Sequence, residues 1–338
     1  MTAGRGPLKS PQVAAAAPDG PLAPAFEGTG TASRALPERL AGRFFQLCAA
    51  LAALAAAAVV ATLASETALF FTEVSPVRFF TDLTWTPVAE EPRFGILPLL
   101  AATAQITVGA AVVAFPLGLL TAVYLEYYSE PRTARILTAA VIVLAAVPTV
   151  VYGYVALNFV TPALRNIWPS IGAYNGLSAC LVVGVMILPT VALLSRSALQ
   201  AVSPSLTDAG LALGASPARI LVRGILPAAS GGIVAALALA IARAVGETMI
   251  VTMAAGNQAR LTWSPLEGLR TLTAYIAQGS MGDAASGTTE YRAFFAVAAV
   301  LFAITYTVHA LGRWLAGGRS RRAGAATGAR HGGRGVPR

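Results

Sequence analysis

The chain has 338 residues, of which 56% are hydrophobic and only 12% charged, against about 25% charged in an ordinary soluble domain. That balance excludes a typical soluble fold and points to lipid. The net charge of +9 is carried by arginine, since Lys9 is the sole lysine, and the placement of the arginines argues against a nucleic-acid partner.

Residues 1–43 are rich in Ala, Pro, Gly and Ser, a composition that buries too little apolar surface to offset its ordering entropy, so a disordered tail is expected. Residues 44–64 form the first apolar block, longer than the stretch of about 7 to 15 residues in a signal peptide. Further blocks follow at 97–124, 136–160, 176–195, 229–255 and 293–315. Each approaches or exceeds the ~20 residues a helix needs to cross hydrocarbon. The expectation is an all-α polytopic domain of six spanning helices over residues 44–315. Pro116, Pro148 and Pro189 fall inside three of the blocks and each marks an expected kink. Cys48 and Cys180 read as small core residues, and with His309 and His331 far apart no metal site is expected.

Six crossings put both termini on one side, and the positive-inside rule says which. Segments 1–43, 126–135, 196–228 and 313–338 carry 17 Lys and Arg, whereas the alternate segments carry six, namely Arg78, Arg93, Arg165, Arg260, Arg270 and Arg292. Both termini are therefore expected in the cytoplasm of a cell bounded by this membrane. The basic tail, residues 316–338, would lie against anionic lipid. Trp85, Trp168 and Trp263 fall in the expected outer loops and Trp314 at the inner edge of the last span.

Chemistry-bearing groups are sparse. The single Lys-Ser/Thr pair, Lys9-Ser10, follows Leu8 rather than glycine, so the chain lacks a phosphate-cradling P-loop. It is expected to be a non-enzyme with no cofactor of its own. The segment RSALQAVSPSLTDAGLALGASPARILVRGILPAASGG, residues 196–232, is more informative. Ser205 or Thr207 can cap a short helix, Gly214 breaks it, Ser216-Pro217 opens a second, and Pro227 closes that one. A helix-turn-helix between two spans is expected.

Within it, DAGLALGASPARILVRGILP resembles the EAA loop of ABC importer permeases. Asp208, Ala209, Gly214, Leu226 and Pro227 follow that pattern, with Ala215 beside Gly214; Asp208 replaces the usual glutamate, Gly210 the second alanine, and Gly224 a common isoleucine. The resemblance implies that this loop couples the chain to a separate ATPase subunit, which binds the ATP. The segment RAVGETMIVTMAAGNQ, residues 243–258, resembles the PstC-type permeases of phosphate importers. FGILPLLAATAQITVG, VPTVVYGYVALNFVTP and TLTAYIAQGSMGD agree, so the resemblance spans residues 40–315.

Arg243 and Glu247 stand inside the fifth apolar block. A charge at mid-depth costs at least about 2.5 kcal/mol, so it faces the bundle interior or a wet cavity. A spacing of four puts both side chains on one helix face. A self-neutralising structural pair is one reading. The other is a face lining an anion path, where Arg243 offers a charged fork to phosphate oxygens, Glu247 tempers the attraction, and Thr248 and Thr252 donate hydroxyls. Those hydroxyls can equally bond back to the preceding turn.

The resemblance implies an inorganic phosphate importer of the plasma membrane, assembled from this chain, a homologous PstA-type permease, a cytoplasmic ATPase dimer and an extracytoplasmic phosphate-binding protein. Another oxyanion, such as phosphonate, sulfate or molybdate, is the nearest rival cargo. An ion-coupled secondary transporter is the rival from another class, and no inverted repeat supports it.

Overall fold

The computed structural model describes residues 35–282, 285 and 287–328, with side chains described from Leu40 to Leu315. Residues 1–34 and 329–338, including Lys9 and His331, lie outside the described residues. The chain divides into two units at Val59–Val60. Helix α1, Ala35–Glu73, begins inside the segment expected to be tail and supplies all the described structure of the first unit. Residues 40–59 are exposed on every side, as an Ala- and Leu-rich helix is when lipid is its solvent.

In the second unit, α2 (Pro76–Thr81) and a two-residue ribbon, β1 (Trp85–Thr86) against β2 (Arg93–Phe94), precede α3, Leu97–Val123. A π-turn, Tyr124–Tyr128, continues α3 to a span of 32 residues. Then come α4 (Pro131–Ala146), α5 (Thr149–Val155), α6 (Thr161–Ile167) and α7 (Gly176–Gln200). Short helices α8 (Pro204–Ala212) and α9 (Pro217–Ile220) lead into α10 (Leu226–Val245), and α11 (Met249–Ala254), α12 (Leu272–Ser280) and α13 (Thr289–Gly328) finish the chain. Among the described residues five helices are long and apolar enough to cross a bilayer, and α4 with α5–α6, bent by 90°, passes the same test as a pair. The ribbon aside, the fold is all-α and polytopic.

Parallel α3 and α7 form the centre, Gln105 meeting Cys180 near their starts and Glu126 meeting Arg196 near their ends. Small residues let their backbones meet, as lipid-embedded helices require when no water drives them together. A Cβ on Gly118 would stand 2.8 Å from the Val191 Cβ, and one on Gly184 would stand 3.1 Å from the Ala110 carbonyl. Ala110, Ala114, Val183, Met186, Ile187 and Val191 are buried along this seam. Cys180 is buried there too, whereas Cys48 is exposed on α1, so only one of the two cysteines is a core residue.

Of the three prolines expected to kink their helices, Pro116 and Pro189 sit inside helices that run unbroken. Pro148 separates α4 from α5–α6, which turn by 90°. Proline has no N–H for the carbonyl four residues back, here Leu144. The Tyr152 hydroxyl takes its place, donating to Leu144 O at 2.7 Å from a side chain that is buried. Tyr152→Phe is expected to cost about 1 kcal/mol by leaving that carbonyl only a long bond of 3.4 Å from the Val147 amide in an apolar layer. The check is the thermal unfolding midpoint in detergent, which should fall; an unchanged midpoint would show that the carbonyl finds another donor.

At the end of the bundle where α3 starts, Phe70, Phe79, Trp85, Phe94, Leu99, Leu272 and Tyr275 pack as an apolar cluster with edge-on ring pairs. Trp85 is therefore a core residue, while Trp168, Trp263 and Trp314 are exposed. Arg292 on α13 pairs with Glu66 and Glu73 of α1, and Thr289 donates to Glu73. At the opposite end, Arg196 of α7 pairs with Glu126 at 3.1 Å and donates to Thr138 of α4 at 2.8 Å.

Candidate functional site

The fifth apolar block is not one helix. α10 stops at Val245, and the Gly246 and Glu247 amides donate back to Ala242 and Ala244. After three intervening residues α11 begins at Met249. Glycine weakens the helix at this point, and the next side chain competes for the backbone: Glu247 Oε1 accepts from the Met249 and Ile250 amides at 3.0 and 3.1 Å. These are first-turn donors of α11 that have no partner within it. The Glu247 carbonyl is held in turn by the Thr273 hydroxyl at 2.7 Å.

The break overturns the expectation that Arg243 and Glu247 share a helix face. Arg243 occupies the last turn of α10 and is exposed, whereas Glu247 is 8% exposed and faces the interior. No ion pair joins them among the described residues. Arg243 Nη1 donates instead to Thr190 Oγ1 at 3.1 Å. Thr190 lies near the middle of α7, so the guanidinium is at mid-depth although its helix ends there. Chain without helical bonding is tolerated at that depth only where protein or water satisfies it, and Glu247 and Thr273 supply part of that satisfaction.

Thr248 and Thr252 bond back to the chain: Thr248 Oγ1 donates to Gly246 O at 3.2 Å, and Thr252 Oγ1 to Thr248 O at 2.6 Å. Their protons are committed and only lone pairs remain. Helix α5 closes over α11 at Gly153, where a Cβ would stand 3.3 Å from the Met249 carbonyl. Thr190 and Thr273 went unnoticed in the sequence. Each is a hydroxyl in a mostly apolar helix, a weak signal, because such groups usually bond their own turn.

The second site is the turn between α8 and α9. Ser203, not Ser205 or Thr207, is the cap of α8: its side chain accepts weakly from the Ser205 amide at 3.4 Å, with Pro204 opening the helix. Gly214 ends α8 in the left-handed region, with φ +73°. Its amide reaches Leu211 O at 2.9 Å and that of Ala215 reaches Gly210 O at 3.1 Å, the paired closure that glycine permits just past a helix end. Gly210 brings α8 onto α9, since a Cβ there would stand 2.7 Å from the Ile220 side chain. Asp208, Ala209 and Leu213 are exposed, Leu213 by 88%.

Pro227 does not close α9. A π-turn, Leu221–Ile225, carries α9 directly into α10, and Pro227 sits in the first turn of the latter. Widening the turn to i→i+5 bonding suits a residue that has no N–H and would crowd the carbonyl of Arg223. Leu226 is half-buried and Pro227 exposed at this junction.

Residues 114–321 match the family of binding-protein-dependent transport system inner membrane components. A probable ABC transporter permease, YqgH of Bacillus subtilis, is 31% identical over 73% of this chain and 79% of its own length. PstC 2 of Mycobacterium tuberculosis, a phosphate transport system permease, is 32% identical over 84% of this chain and 94% of its own. Among solved structures, an inward-facing MetNI methionine ABC transporter chain superposes with a TM-score of 0.52 at 21% identity, covering 66% of this chain and 95% of that one.

Proposed function

The chain belongs to the binding-protein-dependent transport inner-membrane components, and on that premise we propose that it is the permease subunit that passes inorganic phosphate through an ABC importer of the plasma membrane. The observation that carries this reading is the exposed Arg243 at mid-depth beside a broken helix. An uncompensated guanidinium at that level cannot face hydrocarbon. It faces a wet surface completed by a second subunit, a homologous PstA-type permease, and an anion is what such a surface attracts. The relatives named for phosphate transport support the cargo.

The side bearing Gly214 faces the cytoplasm with both termini, as the arginine distribution favours. There Asp208, Ala209, Gly210, Gly214 and Ala215 form the turn of a hairpin that docks on an ATPase dimer, and Leu226 and Pro227 join it to α10. ATP is bound by those partners and not by this chain. An extracytoplasmic binding protein delivers the anion to the opposite side, and alternation of two states moves it.

Reconstitution of the chain with its partner permease, ATPase and binding protein in vesicles tests the reading. Phosphate should stimulate ATP hydrolysis more than sulfate, molybdate or phosphonate. Preference for another oxyanion would replace the cargo, and uptake that follows a proton gradient without ATP would replace the mechanism. A compartment-sensitive tag inserted at Ser216 should report from the cytoplasm.

A further inference from the structure

Arg270 lies in the loop between α11 and α12, on the side opposite the hairpin. Its guanidinium carbon stands 4.9 Å from the centre of the Tyr275 ring, and Nη2 donates to Gln278 Oε1 at 2.9 Å. Its Nε is buried and has no acceptor. It makes no ion pair among the described residues. Burial holds the guanidinium below its ordinary range, with Tyr275 acting in the opposite sense. Burial also raises the Tyr275 phenol, so it stays neutral and supplies no countercharge. A partly buried arginine without an ion-pair partner among the described residues is poorly explained by stability alone.

The segment that follows ties Arg270 to the mid-depth break. Thr271 Oγ1 accepts from the Ala274 amide at 3.1 Å, the Leu272 amide donates to Thr103 Oγ1 of α3 at 3.0 Å, and the Thr273 hydroxyl holds the Glu247 carbonyl. Thr103, Thr271 and Thr273 are all buried. One turn along α3 from Thr103, Thr107 Oγ1 is buried with no partner. A polar seam thus runs from Arg270 toward the break, in a region where apolar side chains would cost less.

We propose that Arg270 is an oxyanion contact at the extracytoplasmic entrance, receiving a phosphate group before it reaches Arg243. The Tyr275 ring and Gln278 fix one face and one nitrogen of the fork, leaving Nη1 and the opposite face for the anion. This rests on the importer reading above. A lipid headgroup carries the same phosphate chemistry, and the test separates the two sources.

The full importer is reconstituted with Arg270→Gln and Arg270→Lys, and labelled phosphate moved per ATP hydrolysed is measured in phosphatidylcholine vesicles and again with phosphatidylglycerol added. The ratio should fall about tenfold in Arg270→Gln, the scale of one charge-assisted hydrogen bond, recover in part in Arg270→Lys, and do so in both lipids. An unchanged ratio overturns the proposal. So does transport falling in proportion to ATP hydrolysis, which marks a packing role, or a loss that follows the lipid, which marks a headgroup contact. If the wild-type importer moves a different oxyanion, the cargo assignment fails, and the same ratio measured with that anion still decides the role of Arg270.

Discussion

Replacing Arg243 with alanine is expected to lower ATP-driven phosphate uptake by about two orders of magnitude while leaving the assembled complex intact. The side chain is exposed and its one hydrogen bond is to Thr190, so its removal leaves no cavity and no buried charge behind. What is lost is a charged donor to the anion, worth about 1.5–3 kcal/mol, or roughly 10- to 150-fold. Glu247 plays a different part and calls for a different substitution. Because one carboxylate oxygen accepts two backbone amides, Glu247→Gln keeps an acceptor for α11 and should retain assembly with a smaller loss of uptake. Glu247→Ala strands both amides at mid-depth and should reduce assembly as well. Uptake by radiolabelled phosphate, normalised to complex recovered by affinity capture, checks all three. Normal uptake in Arg243→Ala would remove this residue from the path.

Leu213→Asp is expected to abolish ATPase docking. Leu213 is 88% exposed at the tip of the hairpin, a position at which an apolar side chain contributes only if a partner covers it. Burying an aspartate in that contact costs about 2 kcal/mol or more, roughly 30-fold in affinity. Gly214 provides the control that separates shape from contact. No atom lies within 4 Å of the place where its Cβ would be, so Gly214→Ala meets only the left-handed backbone penalty of about 1–2 kcal/mol. Gly214→Asn, which tolerates that conformation, should behave nearly as wild type. Co-purification of the ATPase with each variant is the measurement. Docking unchanged by Leu213→Asp would place the ATPase contact elsewhere.

The apolar blocks were legible in the sequence because hydrocarbon thickness fixes a minimum length, and length is visible in any alphabet of residues. Hydropathy says nothing of where backbone hydrogen bonds stop. The block at 229–255 therefore read as one helix although Gly246 and Glu247 divide it, and a carboxylate three residues ahead of Ile250 was the available sign of a new helix start. The hairpin was readable in outline from Gly214 and Ser216-Pro217. Its first cap was misplaced, since Ser203-Pro204 repeats the Ser-Pro signature that was recognised only at the second. Pro227 looked like a terminator because the rule for proline assumes an α-helix, and a π-turn relaxes it. Thr190 as the partner of Arg243 was out of reach, for a contact across 53 positions leaves no periodic trace.

The π-turn has a mechanical consequence. From Pro217 to Val245 the chain is one helix of 29 residues, about 40 Å long, with the hairpin proposed to dock the ATPase at its foot and Arg243 near its tip. It is a lever without a joint. A tilt of about 5° at the foot sweeps the tip through about 3.5 Å, enough to part the guanidinium from Thr190 and hand it to whatever anion stands alongside.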